Sequence, residues 1–563
     1  MGLEFKLYRI DEEKYLQEAE YLKQQIVTGS NRYQFLTLNH EAGFGKTLYT
    51  EQSLIEAAIA GKKSIFCRKF IEDCTYSVKR INEDYGMDIA IAIDSENVSK
   101  NKHLLHQYPI VVITHERYVR LALDKEQRDI FTNGRTILVI DEEVDIVKPI
   151  VISLKSISDF SGKLMAYPIT RAAYEECTKE IYEFLLTNKK RIFYKPSNNK
   201  MEKLSELKAF IDSNINTKYA EQFDMSKNDF NREIDILEMA LNNLSVIENS
   251  VLYTYNNKVE FWMLKNNILL DACGDLNYIY KVSPQFNVAT QESVFDHSYW
   301  TLNIAKYNSC RTKKQKVKDF YKVINEDIIT KLGAEDEMLV IGSKDEHDKI
   351  IRHHQVTYAW FQNIVGKNDW RDFNKCYIAL NPQIPFAIYV LKYMFYSRHS
   401  FNNGDKWDAG TNNKVYRFRN TEFEKVRQTV IASELYQAIK RINRNNYKVA
   451  EVYIINNDQE ILDKLIEQFN NIKVQEYSLN IQYKISEKKA AYDKEREDNS
   501  YYNNFIEFIS TLDKGVYQKK WVCEQIGFLN PKNLSKKILK KETVMKYMAE
   551  ANIKPQGQSI IVS

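Results

Sequence analysis

Residues 35–47, Phe35-Leu-Thr-Leu-Asn-His-Glu-Ala-Gly-Phe-Gly-Lys-Thr47, constrain this chain more than any other stretch. A short apolar run leads into a glycine loop, and a helix-forming segment follows from Lys46 to about Ala60. Strand, loop and helix in that order bring backbone N–H groups to a helix N-terminus, which favours an anion. Gly43 and Gly45 let the backbone close on a polyphosphate. Lys46 is placed to reach the β and γ phosphates, and the Thr47 hydroxyl to ligand Mg²⁺. These residues fit the second half of a phosphate-binding loop, with His40 standing where the first glycine is usual. The plainer alternative is a turn that caps an ordinary helix. The flanking strand and helix are what the nucleotide reading requires.

The chain has 563 residues, enough for about three or four domains. Its 44% apolar content supports sizeable cores, and glycine and proline are scarce, so most of it is expected to be ordered helix and strand. A net charge of +4 permits nucleic acid binding without demanding it. The seven cysteines (67, 74, 177, 273, 310, 376 and 523) include no Cys-x-x-Cys pair. That spacing argues against a zinc ribbon or an iron–sulfur cluster, and for a reduced setting. The first ten residues lack the apolar core of a signal peptide, and no run of about twenty apolar residues occurs. A cytoplasmic protein with no membrane partner is expected.

Residues 1–32 read as a helical lead-in, with the helix over about 11–27. Apolar runs at 64–68, 89–93, 110–113 and 137–140 are continuous, as in strands covered on both faces, and they alternate with helices. The last of them ends in Asp141-Glu-Glu-Val-Asp145. Carboxylates at the C-terminal end of a buried strand lie on the edge where open α/β sheets bind ligands. Asp141 is read as holding Mg²⁺ through water. Glu142 is read as the base that orients and deprotonates an attacking water. The alternative is an acidic helix start. The glycine loop about ninety-five residues upstream favours hydrolysis.

Helical spacing of Ala173, Cys177, Ile181 and Phe184, and of Ile234, Leu237, Leu241 and Leu244, predicts a helical insertion over 151–250. Residues 251–262 predict a hairpin turning at Asn256-Asn257, and 268–270 a strand that returns to the sheet and ends in Asp271-Ala-Cys-Gly-Asp275. Strands at 338–342, 376–379 and 452–455 predict a second α/β region. Before the last of these, a helix carrying Gln437, Arg441 and Arg444 at i, i+4 and i+7 would put all three on one face. The arginines are either solvated or donors to a γ-phosphate. A charge-dense helix is expected over 484–500. Residues 521–526, 531–541 and 543–551 read as three helices, followed by a short strand at 559–562. Lysines 519, 520, 532, 536, 537, 540 and 541 suit a small helix-turn-helix or winged domain on a phosphate backbone, or simply a solubilising cap.

In order and spacing the motifs resemble those of superfamily 2 helicases, the DEAD/DEAH-like group with two RecA-like domains. Ala42-Gly-Phe-Gly-Lys-Thr47 looks like motif I, Ile113-Thr-His-Glu-Arg117 like motif Ib, Asp141-Glu142 like motif II and Leu270-Asp-Ala-Cys273 like motif III. Gly366-Lys-Asn368 sits where motif V is expected, and 437–444 matches the Gln-x-x-Gly-Arg-x-x-Arg pattern of motif VI. The resemblance implies an α/β fold with a first RecA-like domain over 1–150 and 251–305 and the helical insertion at 151–250. A second RecA-like domain would span 306–480, and 481–563 would hold a charged connector and a basic helix-turn-helix-like domain. It implies ATP between the domains, held by Gly43, Gly45, Lys46 and Thr47, with Mg²⁺ on Thr47 and Asp141. Glu142, Lys46, Gln437, Arg441 and Arg444 would be catalytic. The insertion is similar in place to the arch of XPD-like helicases, without their cluster cysteines. The Lys/Asn/Ile/Tyr-rich composition is similar to that of phage and mobile-element helicases. Three positions depart from the pattern: Val144 for the fourth residue of motif II, Cys273 for a threonine, and Lys440 for the glycine of motif VI.

The function expected is an ATP-dependent helicase or translocase, on DNA in preference to RNA. The alternatives are a nucleic-acid-gated ATPase that does not unwind, with protein partners docking on the insertion or the C-terminal domain, and a DNA-binding regulator with a vestigial nucleotide site.

Overall fold

The computed structural model describes residues 7–95, 97–197, 200–364, 369–412, 415–482, 501–528 and 531–563. The expected helix over 484–500 and Gly366–Asn368 lie outside them. The chain divides into one large unit, 1–315 with 319–480, and a small one, 481–563 with 316–318.

In the large unit, helix α1 (Glu12–Thr28) precedes strand β1 (Phe35–Leu38) and helix α2 (Lys46–Ile59). Strands β2 (Ser64–Arg68), β3 (Ala90–Ile93), β4 (Ile110–Thr114) and β5 (Ile137–Asp141) follow. The inserted segment contains β6 (Ile150–Ser153), β7 (Ile192–Tyr194), β8 (Ser245–Glu248) and β9 (Val251–Thr254), and β10 (Asn266–Leu270) and β11 (Phe286–Ala289) complete the first sheet. Its order is β11-β1-β10-β5-β2-β4-β3, parallel throughout. The apolar runs behave as expected of strands buried on both faces. Leu36, Phe66, Val112, Val139 and Ile268 pack against α1 and α2, and Phe35, Ile65, Val111, Leu138 and Leu269 fill the opposite face.

The second sheet comprises β12 (Trp300–Ala305), β13 (Met338–Gly342), β14 (Val356–Trp360), β15 (Lys375–Ile378), β18 (Ala450–Ile455) and β19 (Lys473–Tyr477), with a separate hairpin of β16 (Ala409–Asn412) and β17 (Val415–Phe418). Its order is β14-β13-β15-β18-β12-β19, again parallel. These are two RecA-like domains, and one apolar cluster runs continuously from the first to the second.

The insertion is helical, as expected, but it also contains a four-stranded antiparallel sheet of order β6-β9-β8-β7. Its hairpin turns at Asn249-Ser250, not at Asn256-Asn257. Both turn residues have positive φ (52° and 62°), which suits a two-residue turn between twisted strands. Asn256 instead accepts from the Lys258 N–H (3.0 Å) beyond the end of β9. The insertion is fastened to the second domain: the Phe193 N–H donates to the Asp405 carbonyl and the Gly404 N–H to the Phe193 carbonyl, both at 2.8 Å.

The small unit combines helices Tyr501–Ser510, Lys519–Gln525, Pro531–Lys537 and Glu542–Glu550 with strands β20 (Gly515–Gln518), β21 (Ile553–Gln556) and β22 (Ser559–Val562). The strand order β20-β22-β21 and the closing β21–β22 hairpin make this a winged arrangement. Buried Lys519 donates to Ser535 Oγ (3.0 Å) and to the Gly557 carbonyl (2.7 Å), pinning the hairpin turn to the helices. Among the described residues no helix is long and apolar enough to cross a membrane.

Helix Thr421–Ile439 supplies part of the second domain's contribution to the interface, its Tyr436 hydroxyl accepting from the Ala42 N–H (3.3 Å). Asn420 caps it by accepting from the Glu422 and Phe423 N–H groups (2.9 and 3.2 Å). Fully buried Arg427 fixes it to the sheet, donating to Glu424 and to Asp458, each at 2.6 Å. Removing the cation leaves the buried Glu424 carboxylate without its ion pair and Asp458 with Arg417 alone (2.7 Å). Arg427→Met is expected to cost about 3–5 kcal/mol in denaturant unfolding of the second domain. Arg120→Met, which breaks an exposed pair with Glu116, should cost less than about 1 kcal/mol.

Candidate functional site

The strands β1, β10 and β5 are adjacent and end together at one edge of the first sheet. The loop after β1 turns through Gly43 and Gly45, both at φ +97°, a conformation that glycine adopts at little cost. A Cβ on Gly43 would lie 3.0 Å from the Arg444 carbonyl oxygen, so the second domain touches the loop backbone here. No side chain caps α2, whereas Asp11 caps α1 and Thr114 caps helix His115–Leu123. The first-turn N–H groups of α2, with the positive end of its dipole, are therefore suited to an anion.

Lys46 Nζ donates to the carbonyls of His40 (2.7 Å) and Glu41 (3.2 Å). Desolvation pushes its ammonium pKa down, against the pull of Asp141, Asp271 and Glu142. His40 explains its own presence in the loop. Its buried Nε2–H donates to the Glu18 carbonyl (3.2 Å), and its ring packs 4.6 Å from that of Phe44, so it anchors the loop to α1.

The Thr47 hydroxyl donates to Asp141 Oδ2 at 2.8 Å, and Arg68 forms an ion pair with the same carboxylate. The Asp141 carbonyl accepts from His115 Nε2 at 2.9 Å, which fixes the imidazole tautomer, and burial pushes the His115 pKa down to about 4. Glu142 has φ +71°, a strained value for this residue type, and its N–H reaches the Leu270 carbonyl (2.9 Å). Its carboxylate lies 3.9 Å from the Arg441 guanidinium. Burial alone would raise the Glu142 pKa, but Arg441, Lys69, His115 and Arg68 together hold it below the usual carboxylate value.

The expectation that Gln437, Arg441 and Arg444 share a helical face is corrected. The helix ends at Ile439, with Lys440 as its C-cap, and only Gln437 is on it. Arg441 and Arg444 lie in the turns beyond it, where Asn443 and Asn446 take φ of 42° and 55° and the Arg444 N–H bonds the Arg371 carbonyl (3.0 Å). Asparagine tolerates the left-handed region better than other residues, and that ends the helix. Burial and the neighbouring Arg441 push the Arg444 pKa down to about 10. Gln437 faces the Cys273 thiol. The structure therefore brings Gly43, Gly45, Lys46, Thr47, Asp141, Glu142, Arg441 and Arg444 together, and places Gln437 against Cys273 beyond the end of β10.

Several residues went unread in the sequence. Arg68 ends β2 on the edge where Asp141 ends β5, a signal that strand alignment could have given. Glu143 accepts from Lys392 Nζ (3.0 Å) and Asn277 Nδ2 (3.2 Å), tying the two domains together. Lys69 and Arg120 also went unread: they line a cleft of about 260 Å³ beside the ends of β2 and β4, together with Thr114, Glu116 and Arg117 of the stretch that resembles motif Ib.

Asp271, at the end of β10, accepts from the Cys273 N–H (2.9 Å) and the Tyr280 hydroxyl (2.8 Å). Burial pushes its pKa up to about 6 in spite of the Cys273 N–H. The folded chain thus holds a proton that the unfolded chain has lost between about pH 4 and 6. Stability falls as pH rises through that window, by about 3 kcal/mol for a shift of about two units. Asp271→Asn should remove this slope: in melting curves the wild type loses ground to the variant between pH 4 and 6, and the gap is constant above pH 7.

No protein-family model matches this sequence, and no curated protein matches it. Solved structures do. An XPD helicase aligns over 82% of this chain and 99% of its own, at 13% identity and a TM-score of 0.50. An apo XPD covers 81% and 100%, at 14% identity and a TM-score of 0.49. The Saccharomyces cerevisiae Dbp5 structure bound to RNA and ADP BeF3 covers 85% and 92%, at 11% identity and a TM-score of 0.37. The chain has the fold of the XPD helicase structure, built on two RecA-like domains.

Proposed function

We propose that this protein hydrolyses ATP between its RecA-like domains and uses the cycle to move along nucleic acid, DNA in preference to RNA. The observation that carries this reading is the approach of Arg441 from the second domain to Glu142 of the first, 3.9 Å apart, beside the glycine loop. Lys46 exchanges the carbonyls of His40 and Glu41 for the β and γ phosphates, and the N–H groups from Gly43 to Thr47 hold the remaining oxygens. Thr47 and Asp141 offer oxygen donors of the kind Mg²⁺ prefers, and one or two protein oxygens are enough when phosphates supply others. Bound there, the ion would neutralise phosphate charge.

Glu142, kept ionised by the surrounding cations, accepts a proton from water as the water oxygen attacks the γ-phosphorus. The bond to the bridging oxygen breaks, giving ADP and phosphate. Arg441 and Arg444 stabilise the charge that develops on the transferred group. The basic cleft at Lys69, Arg117 and Arg120 is a candidate contact for the phosphate backbone, and so is the small unit. The ten lysines and five acidic residues of 501–563, on a winged arrangement, support duplex DNA over RNA. A second reading, an ATPase gated by nucleic acid without unwinding, is favoured by the attachment of the insertion to the second domain at Phe193, Gly404 and Asp405.

Steady-state hydrolysis with no polymer, single-stranded DNA, duplex DNA and RNA tests the proposal. Stimulation by DNA is expected, weakening as salt is raised. Lys46→Ala and Glu142→Gln should each lower kcat at least about 100-fold, and Arg444→Ala about 10³-fold. Absence of hydrolysis under all conditions overturns the reading. Stimulation without strand displacement selects the gated ATPase.

A further inference from the structure

The linker between the domains, residues 290–299, is held on several sides. From the first domain, Asn39 and Gln291 bond each other twice, Asn39 N–H to Gln291 Oε1 (2.6 Å) and Gln291 N–H to Asn39 Oδ1 (2.9 Å). The Glu41 carboxylate accepts from the Ser293 hydroxyl (3.0 Å) and from the N–H groups of Val294 (2.9 Å) and Phe295 (3.1 Å). The carbonyl of the same Glu41 is one of the two that hold Lys46. On another side lies the segment before α1: the Asp11 N–H donates to the Val294 carbonyl and the Asp296 N–H to the Arg9 carbonyl, both at 2.9 Å.

Residues 470–471 hold it too, the His297 N–H donating to the Asn470 carbonyl (2.8 Å) and Asn471 Nδ2 to Asp296 (3.1 Å), and a further contact comes from the arginine segment. Fully buried Asn446 donates to the Asp296 carbonyl (2.8 Å) and accepts from the Trp300 indole (2.7 Å). Lys440, only 1% exposed, places Nζ 3.1 Å from Nε2 of fully buried His297, over the rings of Phe295 (4.7 Å) and Trp300 (5.4 Å). A buried ammonium that meets a neutral imidazole is costly to keep, so its retention needs a reason. Its position suggests one. Lys440 directly precedes Arg441, and its side chain grips the same linker that Glu41 grips from the phosphate loop.

We infer that Lys440 is a positioning residue that locks the arginine segment onto the interdomain linker, so that Glu41 and the linker carry the state of the phosphate loop to Arg441 and Arg444. This rests on the ATPase reading above. When phosphates draw Lys46 away from the Glu41 carbonyl, the loop shifts against residues 293–295. Phe295 and His297 shift with it, and Lys440 moves the arginines in step.

The groups facing the Lys440 ammonium are His297 from the linker, Glu41 and Lys46 from the phosphate loop, and Arg444 from its own segment. Burial drives its pKa down to about 8, opposed by Glu41 and reinforced by Arg444 and Lys46, against an ordinary value of 10.5. Between these values the unfolded chain keeps a proton that the folded chain gives up, so stability rises with pH across the window. The penalty of the buried charge is complete below about pH 8 and gone by about 10.5.

The test uses the full chain with Lys440→Met, His297→Leu and His297→Gln, the last of which keeps an acceptor for the ammonium. Four quantities are measured: kcat and KM for ATP, affinity for a fluorescent ATP analogue, melting temperature against pH, and closure of the domains on a non-hydrolysable ATP analogue, read by a donor–acceptor pair with one dye on each domain. For Lys440→Met and His297→Leu, kcat should fall at least about tenfold with KM and analogue affinity within about threefold, and closure should be lost. His297→Gln should stay near the wild type. Lys440→Met should melt above the wild type at pH 7, the gap closing as pH approaches 10. Wild-type kcat and closure in Lys440→Met overturn the inference. A parallel fall of kcat, affinity and melting temperature also overturns it, since that is a structural role only. If the wild type closes on the analogue but does not hydrolyse ATP, the ATPase reading fails and closure alone decides the inference. If the wild type binds no nucleotide, both fail.

Discussion

Asp141 is the contact on which the site depends. One of its carboxylate oxygens receives the Thr47 hydroxyl and the Arg68 guanidinium, and its carbonyl receives His115. Those partners stand at the start of α2, the end of β2 and the end of β4, so a single residue gathers the ends of three neighbouring elements. The parallel sheet makes this possible. Its strands all finish at one edge, and side chains far apart in sequence meet there without any long excursion of the chain. The energetic requirement is strict, because a carboxylate at 8% exposure needs its partners in place.

The second domain brings its arginines to that edge on a turn, just beyond the helix whose Tyr436 hydroxyl accepts from the Ala42 N–H of the glycine loop (3.3 Å). Helix Thr421–Ile439 is made rigid by Arg427 and by apolar packing along its length, and it stops just before the arginines. The arginines themselves sit on short, asparagine-rich backbone whose polar groups are satisfied by other segments: Asn443 N–H by the Phe373 carbonyl, Arg444 N–H by the Arg371 carbonyl. The cationic pair is thereby carried on irregular backbone, just beyond the end of the helix.

The sequence was most readable where burial is uniform. Runs such as Ile110–Thr114 and Met338–Gly342 are apolar because both faces are covered, and their chemistry-bearing neighbours at Thr47, Asp141 and Glu142 could be placed from them. Strands at sheet edges left weaker traces. β19, Lys-Val-Gln-Glu-Tyr, is mostly exposed, and β14 is only partly covered, so neither needs an apolar run. β12 contains Thr301 and Asn303 within its apolar pattern and was missed for that reason. In the insertion, helical periodicity concealed an antiparallel sheet of three- and four-residue strands, too short to show alternation. The arginine segment was misread because helical spacing was extended through Asn443 to Arg444, although Asn443, Asn445 and Asn446 signal that the helix ends. Contacts such as Arg68 with Asp141 or Lys440 with His297 depend on which elements lie side by side, which no local pattern states.

The segment before α1 has a practical consequence. Residues 8–11 lie against both the linker and the arginine segment: the Tyr8 N–H bonds the Asn445 carbonyl, Arg9 donates to the carbonyls of Asn446 and Lys448, and its guanidinium covers the Tyr299 ring at 3.9 Å. A chain trimmed to begin at α1 would lose one side of the joint between the two domains. Kinetic comparisons between preparations that differ at the amino terminus would then be comparisons between different hinges.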